Sequence, residues 1–161
     1  MTQVNMRLIW INLVLHTQLL RKNSKTIMGH LSLIQICQIL IGLFMGICMF
    51  QSGVDKIIDW QGNYTWLKGH FSKTFLKSYV KPMLFIILLL EVFSGVLCLS
   101  GSLFGLLNND TSLILNGLII VGINLIALFF GQRYAKDYQG AAILVNYFIL
   151  TIIGIFSFNF V

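Results

Sequence analysis

Four long apolar runs, residues 31–50, 82–99, 113–130 and 141–160, set the terms for this chain. Each approaches the roughly 20 residues that a helix needs to cross a bilayer. Lipid offers no partner to a free backbone N–H or C=O, so spans of this kind must satisfy their hydrogen bonds internally as helices. Their length and lack of alternation argue against barrel strands. The expected fold class is therefore all-α, a polytopic membrane protein built as a four-transmembrane-helix bundle with both termini on one side. The expected location is the cell's inner (plasma) membrane, crossed several times. Composition agrees: 57% of the 161 residues are hydrophobic and 10% are charged, against about 25% charged in a soluble domain. Short loops leave no room for a second domain, so residues 31–161 form one transmembrane domain behind an N-terminal basic and amphipathic extension, 1–30.

The net charge of +6 is not a nucleic-acid signal. The cations stand beside the spans, where they meet lipid headgroups and set topology. Loops one and three share a side and hold seven: Lys56, Lys68, Lys73, Lys77, Lys81, Arg133 and Lys136. The other four, Arg7, Arg21, Lys22 and Lys25, all fall within 1–30. The positive-inside rule then places loops one and three in the cytoplasm. In the extension, Leu8–Leu15 is apolar but too short to span, and no small-residue cleavage site follows it. It reads as an interfacial helix or as a stretch upstream of a start at Met28.

The long loop after the first span has a pattern of its own. Trp60, Tyr64, Leu67, Phe71, Phe75 and Tyr79 recur every three or four residues, which puts them on one helical face. Lysines fill the positions between. This predicts an amphipathic interfacial segment, broken into short pieces at Gly62 and Gly69. Residues 100–112 read as a polar turn without a cation, and 131–140 as a short charged loop.

Glu91 interrupts the second run, and a carboxylate inside a membrane span is a functional-site hypothesis by default. It lies nine positions from the loop-one side, about 13 Å at 1.5 Å per residue. Asn124, Asn146 and Thr151 fall at related depths on the third and fourth spans, while Gln51, Asp55, Lys56 and Arg133 gather at the same mouth. Together they suggest a polar pocket open to one membrane face. Plainer readings stand beside this one: Asn124 and Asn146 as interhelical hydrogen-bonding residues, Asp55 and Lys56 as an interfacial ion pair, Gln35 and Gln38 as packing or headgroup contacts. Gly42, Gly46 and Gly95 would let the first two spans approach closely with Glu91 facing inward.

Other chemistry has little footing. His16, His30 and His70 are isolated in sequence, and no metal-binding or nucleophile motif is present. Cys37, Cys48 and Cys98 form no CxxC. Cys37 and Cys98 fall at similar depth and could meet, but small apolar packing roles suit all three better. No residue is assigned a catalytic role, no intrinsic cofactor or metal is expected, and nothing makes the chain an enzyme on its own.

The run Phe50-Gln51-Ser52-Gly53-Val54-Asp55-Lys56-Ile57-Ile58-Asp59 resembles the F-x-x-[SA]-G-x-x-K-x-x-D signature of the DoxX-like integral membrane proteins. Glu91 with Gly95, and the stretch from Phe130 to Tyr138 before the last span, agree with it. The similarity extends from about Leu31 to the C-terminus. It implies a four-helix bundle that serves as a subunit or accessory of a membrane redox system, and the one-sided polar cluster then suggests a quinone or a proton handled near Glu91. The branch that supports disulfide maturation carries a cysteine-rich loop before the fourth span, which this chain lacks. The alternative is a non-enzymatic scaffold or assembly factor docking partners through its charged loops. Expected partners are the lipid bilayer, a redox partner protein and, as an open alternative, a second copy of the chain.

Overall fold

The computed structural model describes residues 31–160, and the expected 1–30 extension lies outside them. In chain order the helices are α1 (Leu33–Ile58), α2 (Trp60–His70), a 3-10 turn (Phe75–Tyr79), α3 (Val80–Asn108), α4 (Ser112–Tyr134), α5 (Tyr138–Phe156) and a closing 3-10 turn (Ser157–Phe160). Four stretches are long and apolar enough to cross a membrane: Leu33–Ile58, Phe75–Asn108, Ser112–Tyr134 and Tyr138–Phe160. The protein is an all-α, multi-pass membrane bundle.

The helices overrun the apolar runs, and the overrun has local causes. The expected polar turn at 100–112 is mostly helix. Ser100 and Ser102 turn their hydroxyls back onto the carbonyls of Val96 and Cys98, each at 2.7 Å, so neither competes for the helix ladder. The turn shrinks to Asn109–Thr111. Asn109 takes the left-handed conformation (φ 58°) that ends a helix, with its N–H on the Gly105 carbonyl at 3.1 Å. Bonds from Ser112 hold the Asp110 carboxyl below the usual carboxylate range.

The turn between α4 and α5 is equally short. The N–H groups of Lys136 and Asp137 close back on Arg133 O (3.1 Å) and Gln132 O (2.9 Å), a Schellman closure with Lys136 left-handed at φ 64°. Glycine is the residue that adopts this conformation without cost. Lys136→Gly is therefore expected to raise stability by about 0.5–1 kcal/mol, read from detergent unfolding.

The interfacial segment forms but breaks elsewhere than expected. Gly62 and Gly69 both remain inside α2. Gly62 sits in the first turn, where its N–H is held at 2.9 Å by the N-cap carboxylate of Asp59. The chain leaves the helix at Phe71–Thr74 instead, where Thr74 Oγ1 bonds the Phe71 carbonyl at 2.9 Å. This shifts the phase of the aromatic stripe. Tyr64, Leu67 and Phe71 pack with Leu76, Val80, Met83 and Ala135 against the end of the bundle, while Phe75 and Tyr79 turn outward.

The four long helices follow one another antiparallel. Along α1 and α3, Gly53 meets Val92, Gly95 meets Phe50, Gly46 meets Leu99 and Gly42 meets Ser102. Gly101 and Gly117 let α4 approach α3 in the same way, and Gly154 of α5 faces Leu118 and Ile41. The centre is filled by Met45, Leu84, Ile114, Leu118, Val121 and Leu125, all essentially without exposure.

Candidate functional site

Glu91 is 1% exposed, on the α3 face that meets the last turns of α1. Its neighbours explain why a carboxylate can sit there. Lys56 Nζ lies 3.0 Å from Oε1 in hydrogen-bond geometry and 2.9 Å from Oε2 as an ion pair. The Ser52 hydroxyl donates to Oε1 at 3.0 Å. The ammonium also donates to Ser52 Oγ (2.9 Å) and Ser52 O (3.2 Å), so three side chains close one network. Lys56 occupies the last turn of α1, where a cation also suits the helix dipole.

The antiparallel register makes this reach possible. A Cβ at Gly53 would come within 2.6 Å of Val92 Cγ2, and one at Gly95 would come within 2.7 Å of the Phe50 amide nitrogen. Both close contacts lie on the bundle side of the ion pair, within about two turns of it, and bring the helix axes close enough for Lys56 to span them. Each polar or small residue of the Ser52-Gly53-x-x-Lys56-x-x-Asp59 run thus has a task. Ser52 and Lys56 hold Glu91, Gly53 admits α3, and Asp59 caps α2.

The other sequence candidates do not converge on Glu91. Asp55 and Gln51 are exposed, and Asp55 makes no ion pair with Lys56, whose partner is Glu91. Arg133 is exposed and lies over the Tyr138 ring at 4.6 Å. Asn124 is fully buried but donates to Met49 Sδ at 3.6 Å, with its own Oδ1 unpartnered. Met49 lies two turns from Lys56 on α1, about 10 Å along the axis. Thr151 is buried and returns its hydroxyl to the Tyr147 carbonyl of its own helix at 2.8 Å. Asn146 is exposed on the outer face of α5. The eight candidates do not share a pocket: four face outward, and Thr151 lies at mid-bundle, level with Gly122 of α4.

Several contacts were not legible in the sequence. Ser52 is the third member of the Glu91 network. At the opposite end Gln38, fully buried, accepts from Thr111 Oγ1 at 2.8 Å, and its Nε2 is unpartnered. Gln35 donates to the Asn109 carbonyl at 3.1 Å, which ties α1 to the α3–α4 turn. His70, isolated in sequence, meets Gln132 Oε1 at 3.0 Å and stacks on Trp66. The hydrogen bonds at these three places join residues 62 to 74 positions apart, so no local spacing announces them.

A cavity of about 240 Å³ opens between α4 and α5, lined entirely by Leu125, Ile126, Phe129, Leu144, Val145 and Phe148. It suits an acyl chain or ring, but none of these side chains can orient a polar head. Among the described residues no group of three His, Cys, Asp or Glu could hold a metal ion. The three cysteines are free, with Cys98 buried and Cys37 exposed. Comparison of the chain with family models, with curated proteins and with solved structures finds no match.

Proposed function

We propose that this protein is a non-enzymatic membrane subunit that docks a partner protein through the end of the bundle formed by α2 and the α4–α5 turn. The observation that carries this reading is the pairing of Glu91 with Lys56 across the α1–α3 seam. Lys56 lies within 3.0 Å of both carboxylate oxygens and Ser52 donates to Oε1, so Glu91 serves the seam as an ion-pair partner, with Oε2 held by charge and no hydrogen bond. The same end presents six exposed cations, Lys68, Lys73, Lys77, Lys81, Arg133 and Lys136, beside the exposed rings of Trp66, Phe75, Tyr79 and Tyr138. Aromatic anchors with a basic rim suit an acidic protein surface at the membrane boundary. The DoxX-like resemblance would place that partner in a membrane redox system, and the positive-inside rule would place the docking end in the cytoplasm.

Purification in mild detergent, followed by charge reversal of Lys68, Lys73 and Lys77 to Glu, tests the reading. A partner held by the native chain and lost by the triple variant is the expected result. Equal recovery with both chains, or none with either, would defeat it.

A quinone-linked role is the second reading, and one observation favours it. The Lys56 side chain keeps 16% of its surface open while it holds Glu91, so the network is partly reachable through Lys56. In this reading the Lys56 ammonium would donate to a quinone carbonyl at the membrane boundary. A quinone that co-purifies near one per chain, and disappears with Lys56→Met, would support it over docking alone.

A further inference from the structure

We propose that two copies of this chain associate through the outer face of α5, with Asn146 of each copy hydrogen-bonded to Asn146 of the other. Of the four spans, α5 is the least covered by its own bundle: 17% of its apolar window is buried, against 28–39% for the others. Its inward side is accounted for, with Ala141, Thr151 and Gly154 buried against α4 and α1. The opposite side carries Gln139, Ala142, Asn146, Ile149, Ile153 and Phe156, every one exposed.

These residues alternate at spacings of three and four. Gln139, Asn146 and Ile153 recur every seven residues, as do Ala142, Ile149 and Phe156. That is the a/d seam of a two-stranded helical pair. Asn146 stands at the middle a position, where a single asparagine fixes register and copy number.

Asn146 also says why the face needs a cover. It lies eight residues beyond Tyr138, about 12 Å along the helix axis into the span. Among the described residues its amide has no hydrogen-bond partner, and hydrocarbon supplies none. An amide is both donor and acceptor, so it is its own complement across a two-fold axis. Two chains inserted in the same orientation are related by an axis along the membrane normal. Their α5 helices then run parallel, and like residues meet at equal depth. A partner of different sequence would need its own amide at that depth, whereas a second copy has it by construction.

The test uses the full chain, fluorescently labelled, in phosphatidylcholine–phosphatidylglycerol vesicles, with subunits counted by photobleaching as protein is diluted into lipid. The native chain is expected to pass from two copies to one as density falls. Asn146→Val is expected to move that transition to roughly tenfold higher density, and Asn146→Gln to restore it, since one interhelical hydrogen bond in lipid is worth about that factor. Asn116→Val, an exposed amide on α4 and off the seam, is expected to leave the transition in place. Ile153→Cys should cross-link under oxidant, while Ile152→Cys, one position off the seam, should not. A native chain that stays single at every density, or a transition that Asn146→Val does not move, would overturn the proposal.

Discussion

Lys56→Met is expected to destabilise the bundle far more than Glu91→Leu, although the two changes remove the same ion pair. Glu91 is 1% exposed and enclosed by the α1–α3 seam. Without the ammonium it keeps only the Ser52 hydroxyl as a donor. Breaking a buried pair from this side leaves an uncompensated charge and costs about 3–5 kcal/mol. In the reverse change the orphan is Lys56, with 16% of its side chain open and a place on the last turn of α1. A lysine there can swing its ammonium to the headgroups, so Glu91→Leu should cost about 1–2 kcal/mol. The double variant Lys56→Met/Glu91→Leu is expected near the native value, because two apolar side chains of similar volume often replace a buried pair at little cost. Titration with SDS in mixed micelles measures all three. Equal losses from the two single changes, or a double variant worse than either, would show that the pair does not hold the helices as described.

Gly95→Ala carries the second large effect, from one methyl group. The added Cβ would lie 2.7 Å from the Phe50 nitrogen and 2.9 Å from its Cα. Both are backbone atoms, so no rotamer change relieves the clash and the helices must separate. Overpacking of this kind costs about 2 kcal/mol. It should also lengthen the Lys56–Glu91 contact one turn away, so Gly95→Ala and Lys56→Met are expected to be less than additive. Gly69→Ala is the control. Nothing lies within 4 Å of its Cβ position and its backbone is helical, so that change should stabilise α2 by about 0.5–1 kcal/mol. If both glycine changes have the same sign, close approach is not what Gly95 provides.

These two predictions mark where the sequence was legible. Gly42, Gly46 and Gly95 could be named as contact points because small residues in a span have few other uses, and the structure places all three against neighbouring helices. Glu91 could be named as an anomaly, but its partner could not. Along the chain the nearest opposite charge to Lys56 is its neighbour Asp55, which makes an ion pair between them one reading of the sequence. One residue along a helix turns a side chain by about 100°, and that rotation sends Asp55 outward and Lys56 into the seam. Asn146, placed by depth alone, faces outward for a related reason. Depth can be counted from a span's end, but facing direction depends on which side of the helix its neighbours cover.

What the sequence determined alone is the class of structure, the number of spans and their depth. Hydrocarbon imposes helices of a set length whatever they pack against. What only the tertiary structure decided is azimuth: Glu91 turned onto Lys56 and Ser52, Asn124 turned onto Met49, and Asn146 turned outward from its own bundle. The exterior of such a bundle is as apolar as its core, so hydrophobic periodicity, which orients the helices of a soluble protein, carries little signal here. Close glycine contacts and a few distant hydrogen bonds orient the helices instead, and they exist only once the helices meet.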